Sequence, residues 1–516
     1  MPLSPRSRAV VMTAVAVLLS LTAAGCGDDG PGDDGDLTTQ KLSWKTCEAP
    51  SEAQGGGPAP PPLPDGEVWQ CATMTAPLDW HEPDGDTIGV ALIRARSSGS
   101  ASQRIGSLVF NFGGPGLSGV KTLPSFGEDY ARLRTRYDLV SFDPRGVGRS
   151  AGIRCEDDEA LDAYFQQDMT PDDASERTEF LDSTKTFNSA CEENSGKTLP
   201  HVPTTDAARD MDLMRRLLGD ARLHYFGFSY GTELGGVYAH LFPENVGRAV
   251  FDAVVDPTQT AEQGALGQAK GFQRALDNYA RDCVSQVAAC PVGDTEQDVE
   301  DRIVQLLEDL DRKPITGVFP RELTESEARN GIAQALYSRD LWQYLTEGLE
   351  QAYNGDGQVL MLLSDALNGR SENGEYSNIT AANVSINCAD DKPRYTTEDV
   401  ERRLAEFRAA SPVLGEWFAW SMVSCTDWPV AGAADHPDVR APGSAPILVI
   451  GTTGDPATPY EGARRMVEAL GPGVGVGVTY KGQGHGAYSS GNVCVRSAVD
   501  DYLLSGKLPK AGTVCS

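Results

Sequence analysis

Gly227-Phe228-Ser229-Tyr230-Gly231 decides how this chain reads. The stretch is G-x-S-x-G, and it lies between an apolar run, Leu223-His224-Tyr225-Phe226, and a helix-like run over residues 232–241. Strand, sharp turn and helix in that order are the setting in which a serine becomes an exposed nucleophile. The turn leaves no room for side chains two residues either side of the serine, so glycines stand there. The Ser229 hydroxyl is expected to project above a sheet edge, at the positive end of a helix. A serine alone is a weak nucleophile. The rest of the chain must supply a base, an acid and donors for an oxyanion.

Near the C-terminus, Pro446-Ile447-Leu448-Val449-Ile450-Gly451 reads as a fully buried strand, and it runs into Thr452-Thr453-Gly454-Asp455-Pro456. A carboxylate therefore stands at a strand's C-terminal end. A second short strand, residues 474–480, leads into Lys481-Gly482-Gln483-Gly484-His485-Gly486. Of six histidines, only His485 follows Asp455. The order Ser229, Asp455, His485 is that of the α/β-hydrolase triad. In it a neutral imidazole takes the serine proton, and a buried carboxylate fixes its tautomer and stabilises the imidazolium.

Upstream, Ser107-Leu108-Val109-Phe110-Asn111-Phe112 reads as a strand opening into Gly113-Gly114-Pro115-Gly116. Glycines there let backbone N–H groups face a reacting carbonyl, as an oxyanion hole requires. The expected donors are the amides of Tyr230 and Gly114, the second assigned to within one residue. Tyr137-Asp138-Leu139-Val140-Ser141-Phe142 reads as another buried strand, followed by Asp143-Pro144-Arg145-Gly146-Val147-Gly148-Arg149-Ser150.

The oxyanion segment, the Asp143-to-Ser150 segment and the elbow together resemble the proline iminopeptidase and tripeptidyl aminopeptidase branch of the α/β-hydrolases. So do Ala239-His240-Leu241-Phe242-Pro243-Glu244 and Asp252-Ala253-Val254-Val255-Asp256-Pro257. Residues 386–515 resemble the C-terminal module of secreted tripeptidyl aminopeptidases and of related cell-associated proteinases of filamentous bacteria. The resemblance covers most of residues 42–516. It implies release of short peptides from free N-termini. Asn111 stands where iminopeptidases usually carry histidine; the tripeptidyl branch tolerates asparagine, so the residue leans away from proline-specific enzymes.

The N-terminus reads as a targeting segment over residues 1–25. Arg6 and Arg8 precede an apolar stretch, residues 9–21, that is short for a transmembrane helix. It ends in Thr22-Ala23-Ala24-Gly25-Cys26, which points to lipidation at Cys26, although Ala23 stands where leucine is usual. An ordinary secretory signal cut nearby is the alternative. Residues 26–41 read as a disordered tether rich in Gly, Asp and Pro. Setting Cys26 aside, the 11 cysteines leave ten, an even number that favours five disulfides in an exported protein. Connectivity is not readable from spacing; pairing of consecutive cysteines is expected because it closes short loops. No C-x-x-C pair or histidine cluster appears, so no zinc site and no cofactor are expected.

The organisation expected is an α/β fold in two pieces. Residues 42–257 form the first part of the core, with two antiparallel leading strands at residues 72–78 and 88–96. Alternating strands and helices follow, which means a mostly parallel sheet with helices on both faces. Residues 447–516 complete it. Between them, residues 258–446 are mainly helix-like, as at 298–310 and 398–409, and are expected to cap the serine. The acidic, helix-like stretch from Cys155 to Cys191 is expected at the cap's rim.

The formal net charge is −30. It disfavours nucleic-acid partners, because phosphates would be repelled. It suits either simple solubility or attraction of cationic ligands such as peptides with free amino ends. An aminopeptidase needs a carboxylate near the serine for that amine. Glu233, one helical turn after Ser229, and Asp390 in Asn387-Cys388-Ala389-Asp390-Asp391 are the candidates. Two other functions stay open: a carboxylesterase using the same triad, and a non-catalytic peptide-binding lipoprotein.

Overall fold

The structure is a computed structural model that describes residues 36–286 and 290–516. The signal segment, Cys26 and most of the tether lie outside the described residues. The packed unit runs from Leu37 to Ser516. It starts ahead of the expected boundary at residue 42. Gln40 accounts for this, because its side-chain amide donates to the Thr75 carbonyl and accepts from the Thr75 N–H, both at 2.8 Å.

Twelve strands are described: β1 (Lys45–Thr46), β2 (Gln70–Pro77), β3 (Thr87–Ala95), β4 (Gly106–Asn111), β5 (Tyr137–Phe142), β6 (Leu223–Phe228), β7 (Val246–Asp252), β8 (Ile315–Thr316), β9 (Glu322–Leu323), β10 (Ile447–Gly454), β11 (Gly475–Gln483) and β12 (Thr513–Cys515). Ten form one sheet in the order β1-β2-β3-β5-β4-β6-β7-β10-β11-β12; β8 and β9 pair separately. β2 and β3 are antiparallel, as is β3 with β5, and every pairing from β5 to β12 is parallel. β4 and β5 are buried at every position, which is why they read as continuous apolar runs. Alternate residues feed opposite faces. Leu448 and Ile450 join one hydrophobic core, and Ile447 and Val449 join another.

The chain runs from β4 out to β5, then returns to lay β6 on the other side of β4. Such a reversal opens a crevice at the strand C-termini, where ligands of open α/β sheets bind. The loops after β4 and β6 therefore meet. The buried Asp143-to-Ser150 segment braces this end. Arg145, fully buried, grips Asp210 through two bonds of 2.7 Å, and Asp143 accepts from Ser118, Val120, Gln54 and Arg149.

Between β7 and β10 the described chain is mainly helical, from Ala261–Ser285 through Gly415–Trp420, with the short pair β8 and β9 between. Threonines start four of these helices. Thr260, Thr295, Thr324 and Thr396 each accept a backbone N–H three residues on, and three of them complete a capping box. These helices share their own core, including Phe272, Leu307, Ile332, Leu360 and Trp420. Phe180, on helix Ala174–Ser195, packs into that core with its ring 5.7 Å from Trp420.

The disulfides are Cys47–Cys71, Cys155–Cys191, Cys283–Cys290, Cys388–Cys425 and Cys494–Cys515. Each cysteine after Cys26 pairs with its neighbour in sequence, as expected. The first and last staple the short edge strands β1 and β12.

Candidate active site

Ser229 sits between β6 and helix Tyr230–Leu241 with φ 55° and ψ −127°. Positive φ at a non-glycine residue is strained backbone, held only by what surrounds it. The surroundings are tight. A Cβ on Gly227 would lie 2.3 Å from the Gly231 carbonyl oxygen, and one on Gly231 would lie 2.6 Å from that of Asn111. The Ser229 N–H donates to the Asp252 carbonyl at 3.1 Å.

The loop after β4 comes against the same turn. A Cβ on Gly113 would lie 2.8 Å from the Ser229 Cβ and 3.2 Å from the Tyr230 nitrogen. The Gly113 N–H is taken by the Asn111 side chain, which accepts it at 3.0 Å. No hydrogen bond is made by the N–H of Gly114 or Tyr230 among the described residues. Of the two glycine amides, that of Gly113 is taken, and that of Gly114 makes no hydrogen bond to other described residues.

Asp455 follows β10, and His485 follows β11, on the same sheet edge as Ser229. His485 Nδ1 lies 2.9 and 3.1 Å from the two Asp455 carboxylate oxygens. Asp455 is fully buried and also accepts the N–H groups of Ala457 and Thr458 and the Thr458 hydroxyl. Burial alone would depress the imidazole. The charge and hydrogen bond of Asp455, helped by Asp252, outweigh it and hold His485 above its ordinary 6.5. The His485 N–H donates to the Tyr337 carbonyl at 2.8 Å, and the two rings stand edge to face 5.3 Å apart. Asn278 donates to Gln483 at 2.9 Å. The segment between β7 and β10 therefore touches the histidine loop directly.

The expected amine ligands differ in their bonding. Glu233 makes no hydrogen bond or ion pair with other described residues, and burial, with Asp390 and Asp391 adding their charge, pushes its carboxyl up to about 8. Asp390 accepts the Thr204 N–H at 2.8 Å and the Thr204 hydroxyl at 2.6 Å. Burial pushes Asp390 up to about 7 and Asp391 to about 6. Asp390 and Asp391 thus lie close enough for their charge to raise Glu233, and Asp391 raises Asp390, beside the helix that follows Ser229.

Sequence reasoning missed three residues. Asp252 was noted only within the family resemblance. Its buried carboxylate accepts the amides of Ala487 and Tyr488, just past His485. Thr458 stands three residues past Asp455, and that D-P-x-T spacing was the available signal. Thr204 gave none. As for ions, Asp168, Glu176 and Asp311 bring carboxylate oxygens within 4.8 Å of one another. None of the three belongs to the arrangement around Ser229. No helix among the described residues is long and apolar enough to cross a membrane.

The model of the TAP-like protein family matches residues 411–515. The serine protease Hip1 of Mycobacterium tuberculosis is 36% identical over 492 residues, covering 92% of this chain and 91% of that protein. The tripeptidyl aminopeptidase of Streptomyces lividans is 30% identical over 482 residues, covering 92% and 86%. A carboxylesterase B of Mycobacterium tuberculosis is 35% identical over 459 residues, covering 87% and 86%. Among solved structures, a proline iminopeptidase of Mycobacterium smegmatis matches at 16% identity and a TM-score of 0.33, covering 84% of this chain and 97% of that one. Each of the first two relatives is matched over 92% of this chain. The chain belongs to the tripeptidyl aminopeptidase-like family of α/β-hydrolase serine peptidases, and it is a serine hydrolase.

Proposed function

We propose that this protein is an exported aminopeptidase that releases short peptides, tripeptides first among them, from free N-termini. The observation that carries the proposal is Glu233, in the first turn of the helix that follows Ser229, whose carboxyl makes no hydrogen bond or ion pair with other described residues. In this mechanism Ser229 Oγ attacks the scissile carbonyl while His485 Nε2 takes its proton. Asp455 holds the Nδ1–H tautomer and stabilises the imidazolium. The N–H groups of Tyr230 and Gly114 receive the developing oxyanion. His485 then protonates the leaving amine, and water repeats the cycle to free the acyl-enzyme.

Glu233 is first choice for the substrate ammonium because its carboxyl has no partner among the described residues; Asp390 is the second candidate. The helices between β7 and β10 act as a cap that shuts out long chains and admits one end. A charge-assisted bond to the amine is worth about 1.5–3 kcal/mol, roughly ten- to hundredfold in discrimination. The test is a panel of mono-, di- and tripeptidyl chromogenic amides, each with a free and an acetylated N-terminus. Equal cutting of free and acetylated forms, or cleavage within long chains, would sink the proposal.

A relative named carboxylesterase B, at 35% identity, favours one second reading: the same machinery acting on esters. An ester without an amine, cut faster than any peptide, would bring it forward. Five disulfides and the N-terminal pattern support export, with Cys26 as the lipid-bearing residue. Durable anchoring takes more than one acyl chain. Cys26→Ser should release the protein from the membrane fraction or leave it unprocessed; a mature N-terminus downstream of Cys26 would mean simple secretion instead.

A further inference from the structure

Asp390 is the last residue of helix Ile379–Asp390, in the segment between β7 and β10. It lies 186 positions from Thr204, and both of its oxygens accept from that residue. The Thr204 hydroxyl has one proton. Given to Asp390, it leaves the hydroxyl oxygen to accept from the Tyr230 phenol, 2.6 Å away. The proton order is thus Tyr230 to Thr204 to Asp390. Thr204 is 2% exposed and Tyr230 6%, so water does not compete for these bonds. Tyr230 follows Ser229 directly, and its backbone N–H points out of the first turn of helix Tyr230–Leu241 with no partner of its own.

We propose that Asp390 is a positioning residue for the oxyanion hole, acting through Thr204 to fix Tyr230, and is not the amine ligand. The inference rests on the triad and oxyanion assignments above, and it divides the labour between two neighbouring carboxylates. Glu233, unpaired, meets the substrate. Asp390, anchored, orders the residue whose amide meets the oxyanion. It also means that part of the oxyanion hole is held in place by the inserted segment, so the core sheet alone would not complete it.

The test needs a probe that uses the serine and the oxyanion hole but carries no amine. A simple alkyl fluorophosphonate is such a probe, since its phosphoryl oxygen takes the oxyanion's place. Its second-order labelling rate is measured for the parent, Asp390→Ala, Asp390→Asn, Thr204→Val and Thr204→Ser, each normalised to folded protein by its thermal unfolding transition. Misplacing one oxyanion donor should cost about tenfold, less than the hundredfold or more of removing it outright. Asp390→Ala and Thr204→Val should each show that loss, and the double variant should show no more than either alone. Thr204→Ser, which keeps the hydroxyl, should recover most of it, and Asp390→Asn, with one acceptor oxygen in place of two, only part. On a free-amine tripeptidyl amide the same variants should lower kcat and leave KM near the parental value.

Parental labelling by Asp390→Ala, with a raised KM confined to free-amine substrates, would overturn the proposal and make Asp390 the amine ligand. Should Asp390→Ala not fold, the Thr204 pair decides alone: equal labelling by Val and Ser variants overturns it. Failure of the aminopeptidase reading has a different signature, equal cutting of free and acetylated peptides, and leaves the labelling comparison standing. A parent that does not label at all would remove the nucleophile assignment, and this inference with it.

Discussion

Asp252 holds Ser229 by its backbone, accepting the serine N–H at 3.1 Å, and the loop beyond His485 by its side chain. One residue at the end of β7 thereby ties the turn at Ser229 to the loop after His485. Burial pushes its carboxyl up to about 6, against the hydrogen bonds that favour the charged form. Asp252→Ala keeps the first contact and leaves the amides of Ala487 and Tyr488 buried without partners. The expected cost is about 2–4 kcal/mol in urea unfolding. The surviving folded enzyme should show a lower kcat with little change in KM. Unchanged kcat would mean that the other contacts of the His485 loop hold it without Asp252.

The triad residues should behave as a unit. Ser229→Ala and His485→Ala are each expected to lose about 10⁶-fold in kcat, with the pair no worse than either. Asp455→Asn should lose about 10⁴-fold through the wrong imidazole tautomer. Thr458→Val, which removes one donor from Asp455, should cost about tenfold. Turnover on tripeptidyl amides measures all four; a serine variant with parental turnover ends the assignment.

The acid limb of kcat/KM should lie above 6.5, the ordinary imidazole value. His485 acts as a base only when neutral, and Asp455 holds its pKa up, so activity falls as pH drops through that raised value. Asp455→Asn should move the limb of the residual activity to lower pH, because burial is then opposed only by the more distant charge of Asp252. A limb that stays put would show that another group titrates.

Glu233 links ionisation to stability. Its folded carboxyl is raised from 4.5 to about 8, so within that window the folded state holds a proton that the unfolded state has lost. Stability therefore falls as pH rises across the window. Glu233→Gln should flatten that fall in thermal unfolding and, on substrates, shrink the preference for free over acetylated N-termini. A parent whose melting temperature rises across the window would contradict the raised value.

Much of the fold was legible because buried parallel strands are continuous apolar runs bounded by glycine. β5 was read to the residue for that reason. β7 starts at Val246, where Gly247 and Arg248 look in sequence like a break. Ala253, at φ 55°, is where the chain turns. β1 and β12, two and three residues long, carry no pattern to read. The order of Ser229, Asp455 and His485 was visible because each follows its own strand. The partners of these residues were not. Thr204 meets Asp390 across 186 positions, and Asp252 meets Ala487 across 235. Contacts that distant exist only once the strand order is known.

The disulfides close loops of 7 to 37 residues, and none joins the helical segment between β7 and β10 to the sheet around it. For a chain threaded through a narrow channel N-terminus first, and with Cys26 set aside, the earliest available thiol is then always the correct one. Each pair can oxidise before the next cysteine emerges, and no wrong bridge has to be undone before the sheet closes. Oxidative maturation becomes a matter of timing and needs no sorting by an isomerase.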